Sequence, residues 1–583
     1  MAQYDLLLTF GSCAFFMALV AWIAYQKTKG EVNTKEGYFL AGRGLTGVFI
    51  AGSMLLTNLS AEQLIGLNGS AYGYNMSSMA WEVTAAVSTI CMALIFLPKY
   101  LTGAFTTLPE FLSSRFDDNV RRMTVILFMV GYGLVTIPSV LYSGSIAVMR
   151  LFNIPELLNV SYSQGLMFTI LVVGIVGGLY AIFGGLKAVA VSDTINGFGL
   201  LVIGILVPVL GFAALGDGST LEGIKTVATT HTEKLNAIGS NTDPTPFGTL
   251  FTGMIFANLF YWCTNQYVIQ RTLGAKNLSE GQKGVIYSGF FKLLVPFMMM
   301  MPGIIAFHLY GGELRSIDLA FPQLIKDVLP VYMSGFFLAV LLGAVFSSFN
   351  SLLNSAATLF CLDVYEPLKK GPVSDADMIK VAKIASIVIA VFSFLVAPLL
   401  QFAPEGLWQV IRIFTGFYNI PVVAIVIIGL FTKRVPGLAA KVAIIFHIVA
   451  YGLLQFVFVD EVNIHFLHLY AILFAAEILI MLTIGWLKPL ETPWVIDRKE
   501  TIELVPWAYA IPVSITLMSG VAGLYILFSP IGLVSGFGPL FWPAISCLIL
   551  VNVLGWHYSL KSWRYRYGNY IASSISESNQ VQA

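Results

Sequence analysis

Thr57-Asn58-Leu59-Ser60-Ala61-Glu62-Gln63-Leu64-Ile65-Gly66 interrupts an otherwise apolar run from about Leu45 to Tyr74. A helix in lipid cannot leave backbone groups unpaired, so a polar, carboxylate-bearing interruption survives only where it faces protein, water or a ligand. A Ser/Thr/Asn cluster can also serve simply to join helices. The Glu62 carboxylate and the surrounding Gly52, Gly66, Gly69 and Gly73 favour a binding site.

The rest of the chain agrees with a membrane setting. Of its 583 residues 57% are hydrophobic and only 11% charged, which places it among polytopic membrane proteins. A formal net charge of +1 without a basic tract argues against nucleic acid as a partner. Cys13, Cys91, Cys263, Cys361 and Cys547 lack CxxC spacing and read as packing residues, and the six histidines form no HExxH. The first apolar run, Tyr4 to Tyr25, has no positive n-region and precedes Lys27 and Lys29, so it reads as a permanent helix and not a cleaved signal.

Apolar runs long enough to cross a bilayer fall at about 4–25, 45–74, 79–98, 124–151, 164–183, 193–215, 247–267, 284–309, 332–360, 378–402, 407–431, 437–459, 467–487, 507–528 and 537–557, about fifteen spans. With the N-terminus outside, the inner loops and tail collect most of the basic residues. Among these are Lys27, Lys35, Arg43, Lys99, Arg115, Arg121, Arg122, Lys187, Arg271, Lys276, Lys369, Lys433 and Arg434. The outer loops hold only Arg150, Lys225, Lys234, Arg315 and Lys326, as the positive-inside rule requires. The C-terminus is then cytoplasmic. Lys292 and Arg412 remain deep within spans, opposite the acidic Glu62, Glu82, Asp193 and Glu477. Charges at that depth need a polar cavity or a partner; for Glu477 an interhelical hydrogen bond suffices. The outer loop at about 216–246 reads as a surface excursion without a folded domain.

A second polar and aromatic patch, Asn258-Leu259-Phe260-Tyr261-Trp262-Cys263-Thr264-Asn265-Gln266-Tyr267, follows five spans after the first. Paired interruptions in two halves point to an inverted-repeat transporter with its substrate near the bilayer midplane. A third patch, Gly343 to Ser355, puts Ala344 and Ser348 on one helix face with Ser347 beside them and Ser351 one turn on. Neutral hydroxyls plus carbonyls freed at a helix break can hold a hard monovalent cation such as sodium. A serine stripe alone is also ordinary packing glue.

Residues 57–66, Trp81-Glu82-Val83, residues 257–276, Lys292, and residues 347–360 with Asp363 and Tyr365 resemble the sodium/solute symporter family, in particular its bacterial sodium/glucose and sodium/galactose branch. The resemblance implies an all-α, LeuT-like core of five plus five helices: 1–43 as an extra helix and loop, 44–246 and 247–436 as the repeats, and 437–583 as accessory helices with a short tail. It implies one co-transported sodium ion, without an organic cofactor, at the carbonyls of Leu56, Leu59 and Ala344 and the hydroxyls of Ser347 and Ser348, assisted by Asp193. Sugar contacts carry over to Gln63, Glu82, Asn258 and Lys292. Tyr261 matches the stacking aromatic that closes the inner side, with Trp262 beside it, and Leu67, Trp81 and Trp408 match the outer lid. Arg412 stands where a Gln contact is usual and Ala85 where a Ser is usual; Arg412 would pair with Glu82 or recognise an anionic substrate group. Asn350 replaces a hydroxyl used by members with two sodium sites.

The expected function is sodium-coupled symport of a sugar by alternating access, in a bacterial inner membrane. The alternatives are a sodium symporter for an acidic or amino solute and a membrane sensor on the same fold. An enzyme is not expected, since no catalytic His/Glu or Ser/Lys dyad lies in the spans.

Overall fold

The computed structural model describes residues 3–28, 34–314, 317–369, 373–402, 407–458, 461–462, 464–499 and 501–581. Its described residues are overwhelmingly helical, with an isolated bridge between Leu45 and Ala275. The helices used below are α1 (Gln3–Thr28), α2 (Gly47–Asn58), α3 (Ala61–Gly73), α4 (Met79–Cys91), α5 (Leu108–Arg115), α6 (Asp118–Val130), α7 (Tyr162–Leu215), α8 (Gly253–Leu259), α9 (Gln266–Leu273), α10 (Leu278–Val295), α11 (Ser334–Phe360), α12 (Asp375–Val396), α13 (Leu407–Phe431), α14 (Gly437–Gly452), α15 (Phe466–Leu487), α16 (Ala510–Leu527) and α17 (Phe541–Val581).

Among the described residues twelve helices are long and apolar enough to cross a membrane, or thirteen when the bent pair Gly47–Asn58 and Gln63–Gly73 counts as one span. This count leaves out two of the fifteen stretches expected, 247–267 and 164–183. Residues 247–267 are not a continuous helix: α8 stops at Leu259, a wide turn covers Phe260–Thr264, and α9 starts only after an extended Asn265. The described apolar stretch Tyr162–Gly178 ends where the described side chains end, and the backbone of α7 stays helical through the loop expected near Lys187. Gly177 nevertheless lies against Phe346 and Phe349 of α11, while Gly199 lies against Val340. A straight helix would hold these two glycines about 33 Å apart, and residues 340 and 349 about 14 Å apart. The helical run therefore bends back between them.

The core is built around α2, α7, α10 and α11. The helix α7 packs on α11 and α2, α10 packs on α2 and α4, and α1 covers α7 and α11 from outside. Gly52 lets α2 come close to α7: a Cβ there would come within 2.7 Å of Thr194 Oγ1 and 2.9 Å of its Cα. The accessory helices α14 and α15 pack together on α13, and α16 pairs with α17. Glu477 of α15 meets the His447 imidazole of α14, whose other nitrogen lies 3.0 Å from the Gly416 carbonyl of α13. That is the interhelical bond expected for it.

Two arginines assigned to loops turn out to be buried. Arg271 is taken up below. Arg115, 1% exposed, donates to the carbonyls of Gly429 (2.9 Å), Thr432 (3.0 Å) and Val435 (3.0 Å) at the end of α13. A cation there satisfies carbonyls that have no intrahelical partner and meets the negative end of the helix dipole. Replacing Arg115 by Met leaves these acceptors unpaired at about 1–3 kcal/mol each. The expected outcome is a clear drop in the detergent-solubilised unfolding temperature, and an unchanged midpoint would contradict this role.

Candidate functional site

The first helix break follows from local chemistry. Asn58 and Ser60 carry side chains that compete with the backbone for hydrogen bonds. Leu59 leaves helical geometry (φ −80°, ψ 85°) and Ser60 is extended (φ −94°, ψ 170°) before α3 begins, turning the chain by 58°. The side-chain oxygens Asn58 Oδ1, Ser60 Oγ and Gln63 Oε1 are buried without a hydrogen-bond partner. The second break, at Asn265, has Tyr132 of the neighbouring helix donating to Asn265 Oδ1 (2.5 Å).

Both breaks face one cavity of about 110 Å3. Its wall brings together Gln63, Trp81, Glu82, Asn258, Tyr261, Trp262, Ser348 and Arg412 among the expected residues, together with Ala85. Ser60 and Asn58 come from the first break and Asn265 from the second. Lys292 is absent from the wall. It lies fully buried behind it, with Nζ 2.5 Å from Glu82 Oε2 and 5.3 Å from the centre of the Trp262 ring. Gln63 Nε2 donates to the other Glu82 oxygen at 3.0 Å. Both Glu82 oxygens thus have partners other than Arg412, whose guanidinium lies 3.9 Å over the Trp81 ring. Asn258 Nδ2 donates to Thr84 Oγ1 at 3.1 Å. The Tyr261 ring meets Trp262 and Tyr267 edge to face, at 5.3 and 5.7 Å.

Of the expected lid, Trp81 lines the cavity and Leu67 is buried away from its wall. The Trp408 side chain lies outside the described residues, as does that of Glu62. Thr136, Thr415, Tyr418 and Asn419 also line the cavity and were not foreseen. Thr136 is a single polar group in its stretch, while Thr415, Tyr418 and Asn419 lie scattered among apolar residues of α13, patterns that look like ordinary helix glue.

Beside this cavity lie the groups expected to hold a cation. Ser348 Oγ is 3.4 Å from the Leu56 carbonyl and 3.3 Å from that of Thr57, so α11 meets the freed end of α2. Leu59 and Ala344 are fully buried. The Ser347 hydroxyl faces the Asp193 carboxylate outside ordinary hydrogen-bond geometry, and Asp193 Oδ1 is buried without a partner. Asp193 Oδ2 accepts from Ser53 Oγ (2.7 Å), and Ser53 Oγ accepts from Arg271 Nε (2.8 Å). Arg271, fully buried, also donates to the Tyr267 carbonyl and to Ser351 Oγ. It ties the second break to α2, α7 and α11. Its place in the motif was visible, but it was assigned to a loop because the helix was assumed to end before it.

Comparison with known proteins follows the same lines. The family described as Sodium:solute symporter family matches residues 38–446. The uncharacterized symporter YidK of Escherichia coli (strain K12) is 42% identical over 561 residues, covering 96% of this chain and 97% of that protein. The sodium/glucose cotransporter of Vibrio parahaemolyticus is 31% identical over 455 residues, covering 74% of this chain and 81% of its own. The substrate-bound, outward-open structure of a sodium-coupled sialic acid symporter superposes with a TM-score of 0.72 at 22% identity, covering 84% of this chain and 99% of that one. The fold is therefore shared.

The Glu82–Lys292 pair yields a sharp expectation. Removing one member of a buried pair strands the other, at about 3–5 kcal/mol. Glu82→Gln or Lys292→Met alone lowers the unfolding temperature strongly, whereas the double variant regains most of it. A double variant less stable than both singles would contradict the pairing.

Proposed function

Because this chain belongs to the sodium:solute symporter family and so is a sodium-coupled, multi-pass membrane symporter, we propose that it carries a sugar inward with one sodium ion by alternating access. The observation that supports this reading best is the shared cavity of the two helix breaks, with a Glu, a Gln and an Asn on its wall and Trp and Tyr rings beside them. A pyranose presents hydroxyls that both donate and accept and apolar faces that pack on aromatic rings. Glu82 and Gln63 meet such hydroxyls by exchanging the hydrogen bond they now share, while Lys292 holds the Glu82 carboxylate in place. Tyr261 and Trp262 supply the rings.

In the same reading the sodium ion occupies the gap between the Leu56, Leu59 and Ala344 carbonyls and the Ser347 and Ser348 hydroxyls, with Asp193 assisting. Hydroxyl and carbonyl oxygens suit a hard monovalent cation, and the ion holds α2 against α11. Each inward-moving charge gains about 2.3 kcal/mol per 100 mV of membrane potential. Coupling follows if ion and solute favour the same state. The two repeats are 44–246 and 247–436, the N-terminus is outside and the C-terminus cytoplasmic, in a bacterial inner membrane.

Arg412 favours a second reading, an acidic solute held by its guanidinium. The test is uptake of labelled glucose, galactose and sialic acid into proteoliposomes, with a sodium gradient against a potassium control. Sodium-driven sugar accumulation supports the first reading; accumulation of the acid alone, abolished by Arg412→Gln, supports the second. In either case Ser348→Ala is expected to raise the half-saturating sodium concentration about tenfold, the loss of about 1.4 kcal/mol of ion binding. Unchanged sodium dependence would place the ion elsewhere.

A further inference from the structure

One buried titratable pair has no part in the cavity wall or the proposed sodium site. Glu477 of α15 and His447 of α14 are both 0% exposed and bonded to each other, and the second imidazole nitrogen lies 3.0 Å from the Gly416 carbonyl of α13. A carbonyl only accepts, so His447 Nε2 carries a hydrogen. The bond at Nδ1 then needs a second proton, carried either by the imidazole or by the carboxyl group. In both forms the pair is neutral as a whole, as burial within a span requires.

A second tie lies one turn away. Tyr470 of α15 donates to the Arg412 carbonyl at 2.8 Å. Tyr451 of α14 stacks on His447 at 5.5 Å between ring centres and lies 5.9 Å from the Tyr470 ring. Gly416 makes room for both tyrosines: a Cβ there would come within 2.5 Å of Tyr451 Oη and 2.7 Å of Tyr470 Oη. Residues 412 and 416 are i and i+4 on α13, so the two ties grip one face of that helix.

These carbonyls differ from the ones that Arg115 caps. They lie inside α13, where an amide one turn on already serves each of them. Two extra donors from the accessory helices therefore place the helix; they do not repair an open end. The same helix carries Ile411, Arg412, Thr415, Tyr418 and Asn419 to the cavity wall, and Arg412 covers Trp81. Tyr451 and Tyr470 share an apolar cluster with Trp81.

We propose that Tyr470 and His447, the latter oriented by Glu477, are positioning residues for the substrate cavity: through the Arg412 and Gly416 carbonyls they fix α13, and with it the place of Arg412 and Thr415 on the wall. The use of that wall for a solute rests on the symport reading above; the placement of α13 does not.

The test uses the full chain in proteoliposomes, with the exposed Cys547 changed to serine and one reporter cysteine on the wall at a time. Thr415→Cys reports on α13 and Ala85→Cys on α4. Labelling by N-ethylmaleimide is read above the background of the chain without a reporter. Tyr470→Phe and Glu477→Leu are each expected to speed labelling at Thr415→Cys about threefold, as local opening becomes easier, and to leave Ala85→Cys unchanged. Glu477→Gln restores the natural rate, because its amide can donate to Nδ1 while Nε2 still donates to Gly416. No change at Thr415→Cys, an equal change at both reporters, or a Gln variant that behaves like the Leu variant overturns the proposal. If Glu477→Leu does not fold, Tyr470→Phe, which removes one hydroxyl, decides the matter. Where the natural protein accumulates labelled galactose with sodium, Tyr470→Phe also raises the half-saturating galactose concentration about fivefold, with the maximal rate and the half-saturating sodium concentration unchanged. An unchanged half-saturating galactose concentration overturns the positioning role. If the natural protein accumulates no galactose, it is the galactose reading that fails, and the two reporters, which need no solute, still support or overturn the placement of α13.

Discussion

The structure depends on a rule of the membrane interior: a backbone group without a partner must find one inside the protein. At Leu59 and Ser60 the helix stops in the middle of a span, and the carbonyls near that stop turn toward α11. At Asn265 a second helix stops, and Tyr132 of a neighbouring helix donates to the buried Asn265 side-chain oxygen. Two breaks that each need protein around them are brought face to face. The cavity between them is the consequence, since side chains flanking a break cannot pack as densely as two unbroken helices.

Charges obey the same rule. Lys292 and Glu82 are buried as a pair, and Arg121 and Asp363 meet at 2.7 Å where α11 ends. Arg271 is the most connected of them. Its guanidinium reaches Ser53 of α2, Ser351 of α11 and the Tyr267 carbonyl of its own helix, and through Ser53 it reaches Asp193 of α7. A planar group with five donors suits such a junction, where a lysine would offer a single point of charge. Tyr267 also packs on Tyr261, which lines the substrate cavity. The second break is thus joined through side chains in contact to the helices that carry the proposed sodium site.

Much of this could be read from residue order alone. Polar interruptions stand out in apolar runs, so both breaks, Lys292, Arg412 and the Ser347–Ser348 pair were found. Helix ends inside a span are harder. A polar patch predicts a disturbance but not where the helix resumes, and for that reason Arg271 was assigned to a loop and 247–267 counted as one span. Arg115 was misplaced for a related reason, because a loop arginine can fold back to cap a helix remote in sequence. Thr136 comes from one span and the consecutive Tyr418 and Asn419 from another, and only the packing of the two spans brings them to one wall.

The arrangement around Trp81 bears on what the cavity prefers. Trp81 and Glu82 are consecutive on α4, so their side chains leave the helix about 100° apart. Arg412 covers the ring of the first, whereas Gln63 and Lys292 hold the second. A solute that reached only Arg412 would leave the Glu82 and Gln63 pair untouched, and an anion drawn to the guanidinium would face the Glu82 carboxylate across a narrow space. A polyol meets neither difficulty, because each hydroxyl can accept from an amide and donate to a carboxylate. On the sugar reading proposed above, these contacts suit a hydroxyl-rich solute at Glu82. The Arg412 guanidinium lies over the Trp81 ring, a contact suited to holding the plane of that ring on the aromatic side of the cavity.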